Sequence, residues 1–209
     1  NIERLEKELL DYLESSIVST KVLFINDGST DNSQALIENI CQKHLNFNYA
    51  LLSRNQGLSA ALKVGFDLIS TELVGYMDAD LQTTPKDFNL LLEHIKNYDL
   101  VTGVRQHRKD SVIKNLSSTV ANRIRRLFTQ DGMDDTGCPL KVMKTEYAKR
   151  IPMFKGLHRF LPAMILLQNG TVKQIPVQHF PRIAGTSKFG LRKRLISPLI
   201  DCFAYLWMK

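Results

Sequence analysis

Short apolar runs that alternate with amphipathic segments constrain the fold of this chain more than any other feature. The runs lie at 22–25, 49–52, 73–77 and 100–104, and a polar or glycine-containing segment follows each one. Apolar residues elsewhere recur at helical spacing, which predicts helices over 2–14, 31–44, 58–69 and 85–97. Buried strands separated by helices are typical of a sheet covered on both faces. We therefore predict an α/β fold with a mostly parallel central sheet flanked by helices.

The pattern changes after Arg105. We predict a basic helix over 112–128, a loop around Asp134 and Asp135, helices over 145–151 and 157–168, and a strand over 171–179. Residues 191–209 combine a basic cluster with large apolar side chains. The chain is therefore predicted to form one domain over 1–190, followed by an amphipathic segment over 191–209.

The distribution of charge narrows the choice of partners. The net charge of +7 is concentrated in 105–126 and 182–194, which indicates a basic patch for an anionic ligand. Nucleic acid is a poor candidate, because aromatic residues do not alternate with the basic ones and no nucleic-acid-binding motif is present. The three cysteines are widely spaced and are predicted to be reduced thiols in a cytoplasmic protein.

The segment 191–209 raises the question of a membrane. No apolar run reaches the roughly 18 residues that a spanning helix needs. A basic cluster beside an aromatic stretch is typical of a helix that lies on an anionic membrane surface. We expect peripheral attachment to the cytoplasmic face of a membrane. The alternative is a helix packed on the core with its basic face in solvent.

Two carboxylates follow the predicted strand 73–77. Asp78, Ala79 and Asp80 begin where that strand ends, and ligands of open α/β sheets bind at such carboxyl ends. Asp78 and Asp80 can converge on one hard cation, Mg²⁺ or Mn²⁺, with coordination positions left for diphosphate oxygens. The alternative is a solvated acidic turn.

A second polar segment occupies the equivalent position after the strand 22–25. Asp27 could accept hydrogen bonds from a nucleobase or ribose, and Gly28 would permit close approach of a backbone. The alternative is a simple capped turn before the next helix. The chain has neither a GxxxxGK[ST] phosphate loop nor a GxGxxG fingerprint, which excludes the usual ATPase and dinucleotide modes of binding.

Taken together, these motifs resemble the family 2 glycosyltransferases, and within them the polyprenyl- and dolichyl-phosphate sugar transferases. The matching segments are NDGSTD at 26–31, RNQG at 54–57, MDADLQ at 77–82, GVR at 103–105 and RIAGTSK at 182–188. The resemblance implies the GT-A (nucleotide-diphospho-sugar transferase) fold. It also implies a nucleotide-binding part over 1–105 and an acceptor part over 106–190.

The resemblance also implies roles for individual residues. Asp78, Asp80 and Gln82 would hold Mg²⁺ or Mn²⁺ against the donor diphosphate. Asp27 and Gly28 would contact the nucleotide together with the Asp78–Ala79–Asp80 segment. The residues implied for the acceptor phosphate or the donor diphosphate are Arg105, Lys114, Ser118, Arg182, Ser187 and Lys188.

The implied reaction moves a sugar from a UDP- or GDP-sugar to a polyprenyl phosphate with inversion at the anomeric carbon. A phosphate acceptor is already anionic, so no general base is required. A saccharide hydroxyl is the alternative acceptor, and it would require a base such as Asp134 or Asp135. A sugar nucleotidyltransferase is a further alternative, although the glycine-rich nucleotide loop expected of it is absent.

One feature departs from the family pattern. Family members begin with a strand that contacts the nucleotide, whereas this chain begins at Asn1 with the helix that follows such a strand. We therefore expect the sheet to lack its first strand. The family also places the His158–Arg159 segment at the reaction centre, with an exposed basic pair at a helix start as the alternative. The sequence leaves a homo-oligomer open.

Overall fold

The computed structural model describes residues 2–106, 125–152, 154–181, 202–203 and 205–209. Its elements up to the Asp78–Asp80 loop are α1 (Ile2–Ser15), β1 (Val22–Asn26), α2 (Ser33–Lys43), β2 (Phe47–Leu51), α3 (Leu58–Leu68) and β3 (Leu73–Tyr76). A 3₁₀ turn (Pro85–Asp87) then leads into α4 (Phe88–Leu92) and β4 (Leu100–Arg105). The predicted alternation of helices and strands is confirmed for this part of the chain.

The later elements are α5 (125–129), β5 (Lys141–Lys144), α6 (Thr145–Arg150), a 3₁₀ turn (Leu157–Arg159), α7 (Leu161–Leu167) and β6 (Val172–Val177). Residues 202–203 and 205–208 are helical. Most of the predicted basic helix 112–128 lies outside the described residues. The strand β5 was not predicted, because four residues with a lysine at each end do not form an apolar run.

The strands pair both in parallel and in antiparallel fashion. One pair consists of β1 and β2, which are parallel, with Val22 opposite Phe47. The other strands are ordered β3-β5-β4-β6, and β5 is antiparallel to both of its neighbours. Strands β4 and β6 are parallel, with Leu100 opposite Val172. The predicted α/β fold with a central sheet flanked by helices is confirmed, and the antiparallel strand β5 is an addition to it.

Helix α1 connects the two groups of strands through its apolar face. Leu5 and Leu9 pack with Phe47 of β2, whereas Tyr12 packs in the cluster beneath β4 and β5. The ring of Tyr12 lies 5.7 Å from that of Phe88. Among the described residues, β1 pairs only with β2 and β3 only with β5, so the sheet is divided between β1 and β3. The expectation that the sheet lacks its first strand stays a prediction.

The largest core cluster packs α7 and the C-terminal helix against the sheet. Leu100 of β4, Met143 of β5 and Ile165 of α7 are fully buried there, and Cys202 and Tyr205 join them. Burying one such large apolar side chain stabilises the fold by about 1.5–3 kcal/mol. The C-terminal helix therefore belongs to the folded domain through one of its faces. No helix within the described ranges is long and apolar enough to cross a membrane.

Candidate functional site

The turn after β1 is held by the side chain of Asn26. This buried amide accepts a hydrogen bond from the Ser29 N–H (2.9 Å) and donates one to Gln34 of α2 (2.7 Å). The N-cap of α2 is Asn32, while the Asp31 carboxylate accepts the Ser33 N–H (3.0 Å). The turn is therefore fixed from both sides by short polar contacts.

Asp27 joins this turn to the loop that precedes α3. Its carboxylate accepts hydrogen bonds from the backbone N–H groups of Gln56 (2.7 Å) and Gly57 (2.8 Å) and from the Asn55 amide (3.0 Å). The chain itself thus supplies several donors to the carboxylate that was predicted to contact the nucleotide. The contact with the nucleotide remains a prediction, and holding the two loops together is the role that the geometry adds.

Gly28 allows these two loops to touch. Its φ of 66° lies in the left-handed region, and a Cβ atom at this position would lie 2.5 Å from the carbonyl carbon of Arg54. A side chain there would be strained and would also clash with backbone, which cannot move aside cheaply. The predicted approach of the Gly28 backbone to a nucleotide stays a prediction; the close neighbour in this structure is the backbone of Arg54.

The second acidic loop follows β3 directly. Asp78 and Asp80 are partly exposed, and Asp80 Oδ1 accepts the Gln82 N–H (3.1 Å). Leu81, which follows Asp80, is buried and has a φ of 57°. The Gln82 carbonyl accepts the Phe180 N–H (2.9 Å) beyond β6. The loop is therefore anchored to the segment that follows β6.

The donor set of this loop suits a divalent cation that also binds substrate. No group of three or more His, Cys, Asp or Glu side chains in the described ranges is arranged as a metal site. Two carboxylates and the Gln82 amide oxygen are hard oxygen donors, and Mg²⁺ sites typically use one or two carboxylates together with substrate phosphates and water. The residues present fit such an ion.

Lys141 lies beside this loop and was missed by sequence reasoning. It is the first residue of β5, fully buried, and opposite Tyr76, the last residue of β3. Its ammonium donates to the carbonyls of Thr136 (3.4 Å) and Cys138, and it lies 5.4 Å from the centre of the Tyr76 ring. Burial lowers the pKa of Lys141 to about 8, against the opposing effect of nearby acidic groups that include Asp78. Burial also raises the pKa of the Tyr76 phenol, and Asp78 raises it further.

Arg105 and Asp135 meet at the end of β4. Two guanidinium contacts of 2.8 Å, together with the Arg105 backbone N–H (3.2 Å), bind the carboxylate. The guanidinium stabilises the ionised carboxylate, which makes Asp135 a poor proton acceptor. Asp134 is exposed and pairs with Arg126 (2.6 Å). The geometry thus disfavours Asp135 as the general base that a hydroxyl acceptor would need.

His158 connects the 3₁₀ turn Leu157–Arg159 to α3. Its Nδ1 lies 3.5 Å from the hydroxyl of Ser59 in the first turn of α3. Burial, with the charges of Arg159 and Lys141, lowers the pKa of His158 to about 3. The imidazole is therefore neutral at pH 7. The structure thus gives His158 contacts beyond those of an exposed basic pair.

Several predicted phosphate contacts lie outside the described residues, and their roles remain predictions. Among the predicted site residues, the structure positions Asp27, Gly28, Asp78, Ala79, Asp80, Gln82 and Arg105 at the carboxyl ends of β1, β3 and β4. The predicted residues outside the described ranges are Lys114, Ser118, Arg182, Ser187 and Lys188.

Acidic loops follow the carboxyl ends of β1 and β3, where ligands of α/β sheets bind. This arrangement agrees with a sugar-transferring enzyme of the GT-A fold. The sequence profile of glycosyl transferase family 2 matches residues 3–151, and the chain belongs to this family. The resemblance noted from the motifs is thereby confirmed.

Two curated relatives are similar over nearly all of this chain. A dodecaprenyl-phosphate galacturonate synthase from Rhizobium johnstonii is 28% identical over 197 residues, covering 90% of this chain and 58% of the relative. An undecaprenyl-phosphate 4-deoxy-4-formamido-L-arabinose transferase from Edwardsiella ictaluri is 30% identical over 206 residues, covering 97% of this chain and 63% of the relative. The chain thus spans about three fifths of the length of these relatives.

Solved structures share the fold at low sequence identity. Glucosyl-3-phosphoglycerate synthase from Mycobacterium tuberculosis, in complex with Mn²⁺, UDP and glucosyl-3-phosphoglycerate, superposes with a TM-score of 0.73 and 12% identity, over 97% of this chain and 76% of that one. A mannosyltransferase from Pyrobaculum calidifontis, in complex with GDP-Man and Mn²⁺, gives a TM-score of 0.67 and 16% identity. The match covers 99% of this chain and 61% of the mannosyltransferase chain. These likenesses establish the GT-A fold.

Proposed function

We propose that this chain is the catalytic domain of an inverting hexosyltransferase that moves a sugar from a UDP- or GDP-sugar to a polyprenyl phosphate. The observation that carries the proposal is the anchored Asp78–Asp80 loop, which follows the carboxyl end of β3 as the Asp27 loop follows that of β1. Both curated relatives are named for sugar transfer to a polyprenyl phosphate, which supports a lipid phosphate as acceptor.

Asp78, Asp80 and Gln82 are the proposed ligands of Mg²⁺ or Mn²⁺. When bound, the cation would neutralise charge on the leaving diphosphate. Neighbours of the same fold were crystallised with Mn²⁺ and a nucleotide or nucleotide-sugar, which supports a divalent ion here. Asp27 orders the loop before α3, and we propose that the surface formed by this loop and Gly28 receives the nucleotide.

Arg105 is the described member of the proposed phosphate-binding set. Its ion pair with Asp135 fixes the guanidinium plane at the end of β4. A preoriented guanidinium binds phosphate oxygens at a lower entropic cost than a mobile one. Lys114, Ser118, Arg182, Ser187 and Lys188 complete the proposed set from the sequence resemblance alone.

We also propose that the C-terminal helix rests on the anionic cytoplasmic face of a membrane. Phe203 is 64% exposed and Trp207 is 91% exposed, while Cys202 and Tyr205 on the opposite face are buried. Leu127 of α5 is also exposed, and the rings of Phe128 and Phe203 lie 5.9 Å apart. Exposed aromatic side chains next to a basic sequence are suited to the headgroup region of a bilayer.

A transfer assay with the full natural protein tests the reaction. Polyprenyl phosphate is combined with a panel of UDP- and GDP-sugars and with Mn²⁺ or Mg²⁺, and Asp80→Ala serves as the control. We expect a sugar–lipid product that requires both the cation and Asp80. Transfer to a saccharide hydroxyl alone would instead support the alternative acceptor, and the absence of transfer and of donor binding would overturn the proposal.

A further inference from the structure

Lys141 is a buried cation at the edge of the proposed metal site. Its residue is 0% exposed, and it lies between the last residue of β3 and Thr102 of β4. Taking an ammonium out of water costs several kcal/mol unless the surroundings compensate for it. Such a residue in the centre of a sheet therefore calls for a physical explanation.

The compensation comes from dipoles and more distant charges rather than from an ion pair. The described residues give Lys141 no salt bridge within 4.0 Å, and its ammonium donates instead to the carbonyls of Thr136 and Cys138. The acidic groups that act on it through space include Asp78 and Asp135, and the second of these is already paired with Arg105. Lys141 thus places a positive charge behind Asp78 without neutralising it through direct contact.

A fixed positive charge at this position acts oppositely on the two ligands of the proposed reaction. It repels a divalent cation that approaches Asp78, and it attracts the diphosphate of the donor. Coulomb interactions between groups several ångströms apart remain significant in a partly buried site, where screening by solvent is weak. The cation and the nucleotide would then bind well only together.

We propose that Lys141 is a positioning residue whose charge makes binding of the divalent cation at Asp78 and Asp80 dependent on the nucleotide diphosphate. This inference rests on the proposed function. It concerns the order and coupling of ligand binding, and it assigns Lys141 no contact with the reacting atoms.

Three substitutions separate the charge of Lys141 from its hydrogen bonds. Lys141→Arg keeps both the charge and the donors, Lys141→Gln keeps donors without charge, and Lys141→Met keeps neither. Replacing a buried charge by an apolar residue of similar volume is often neutral or stabilising, so the methionine variant should fold. Lys144→Gln serves as the matched control. It removes a lysine charge at the other end of β5, three residues and therefore ~10 Å from Lys141.

Binding to the full natural protein is measured without turnover. One titration uses Mn²⁺ alone, followed by electron paramagnetic resonance, and the other uses UDP and GDP in the presence of EDTA, followed by calorimetry. We expect Lys141→Gln and Lys141→Met to bind Mn²⁺ roughly threefold to tenfold more tightly and the nucleotide more weakly by a similar factor. Lys141→Arg and Lys144→Gln should remain near the wild-type values for both ligands.

The opposite signs distinguish this role from a structural one. If Lys141 only held the 136–138 turn in place, Lys141→Met would weaken the binding of both ligands or of neither. Lys141→Gln would then bind both ligands with the affinity of the wild type. Either result would overturn the inference while leaving the proposed function intact. If the wild-type protein bound neither Mn²⁺ nor a nucleotide, both proposals would fail.

Discussion

The guanidinium of Arg105 donates two hydrogen bonds of 2.8 Å to the carboxylate of Asp135, from Nε to Oδ2 and from Nη2 to Oδ1. The sequence had suggested separate roles for these residues, a phosphate contact for Arg105 and an alternative general base at Asp135. Their pairing joins the end of β4 to the loop before β5 and makes the two residues one functional unit.

The pair predicts a large loss of stability when one partner is removed. Asp135→Asn should destabilise the fold by about 2–4 kcal/mol, because it removes the negative charge that binds a mostly buried guanidinium through two contacts. Urea unfolding measures the free energy. Asp134→Asn removes an exposed carboxylate that pairs with Arg126, and it should cost less than about 1 kcal/mol. Equal losses in the two variants would contradict the assigned burial of the pair.

Gly28→Ala tests the contact between the two loops. Gly28 and Gly132 both have a φ of 66°, but a Cβ atom at Gly132 would meet nothing within 4 Å. Gly132→Ala should cost on the order of 1 kcal/mol from backbone strain alone. Gly28→Ala should cost distinctly more and should also weaken nucleotide binding, since the Asp27 loop must shift. Thermal unfolding and a nucleotide titration check the two effects, and similar melting temperatures in both variants would refute the clash.

Asp27→Asn tests the anchor of the loop before α3. An amide keeps one acceptor oxygen but replaces the other with a donor, which cannot accept the N–H of Gly57 or Gln56. We expect faster amide hydrogen exchange over 54–57 and weaker nucleotide binding. Exchange measured by mass spectrometry should be unchanged in β4, which lies away from this loop. Unaltered exchange over 54–57 would show that the carboxylate does not hold it.

The lowered pKa of His158 predicts how the free energy of unfolding depends on pH. Its pKa of about 3 in the folded state lies below the ordinary value of 6.5. The unfolded chain therefore binds the proton first as the pH falls, so stability decreases between pH 6.5 and pH 3. The slope approaches about 1.4 kcal/mol per pH unit for one such group. His158→Gln should reduce this slope in denaturant unfolding. A slope that does not change in His158→Gln would refute the neutral buried imidazole.

The exposed aromatic residues of the C-terminal helix predict membrane binding. Trp207→Gln should weaken sedimentation with anionic vesicles, because the indole no longer enters the headgroup region. Leu45→Gln alters a side chain that is 98% exposed elsewhere on the protein and should leave binding unchanged. Exchanging Arg192, Lys193 and Arg194 for Glu should also weaken binding. Vesicle binding that survives both the Trp207 change and the basic-cluster change would contradict the proposed attachment.

The sequence by itself determined the elements that local patterns encode. The apolar run of β1 and the helical spacing of α1 were predicted close to their observed bounds, since burial of one face follows directly from the order of residues. The positions of Asp27 and Asp78 at strand ends were also predicted, because a polar turn after an apolar run marks such an end.

Only the tertiary structure decided which of these residues meet. The strand β5 is too short and too polar for its pattern to be recognised, and its insertion between β3 and β4 makes the sheet mixed. That insertion buries Lys141 beside Tyr76, although a lysine in sequence normally indicates solvent. The pairing of Arg105 with Asp135 likewise depends on residues 30 positions apart. Contacts of this kind arise from packing between distant segments, and a periodic pattern in the sequence does not predict them.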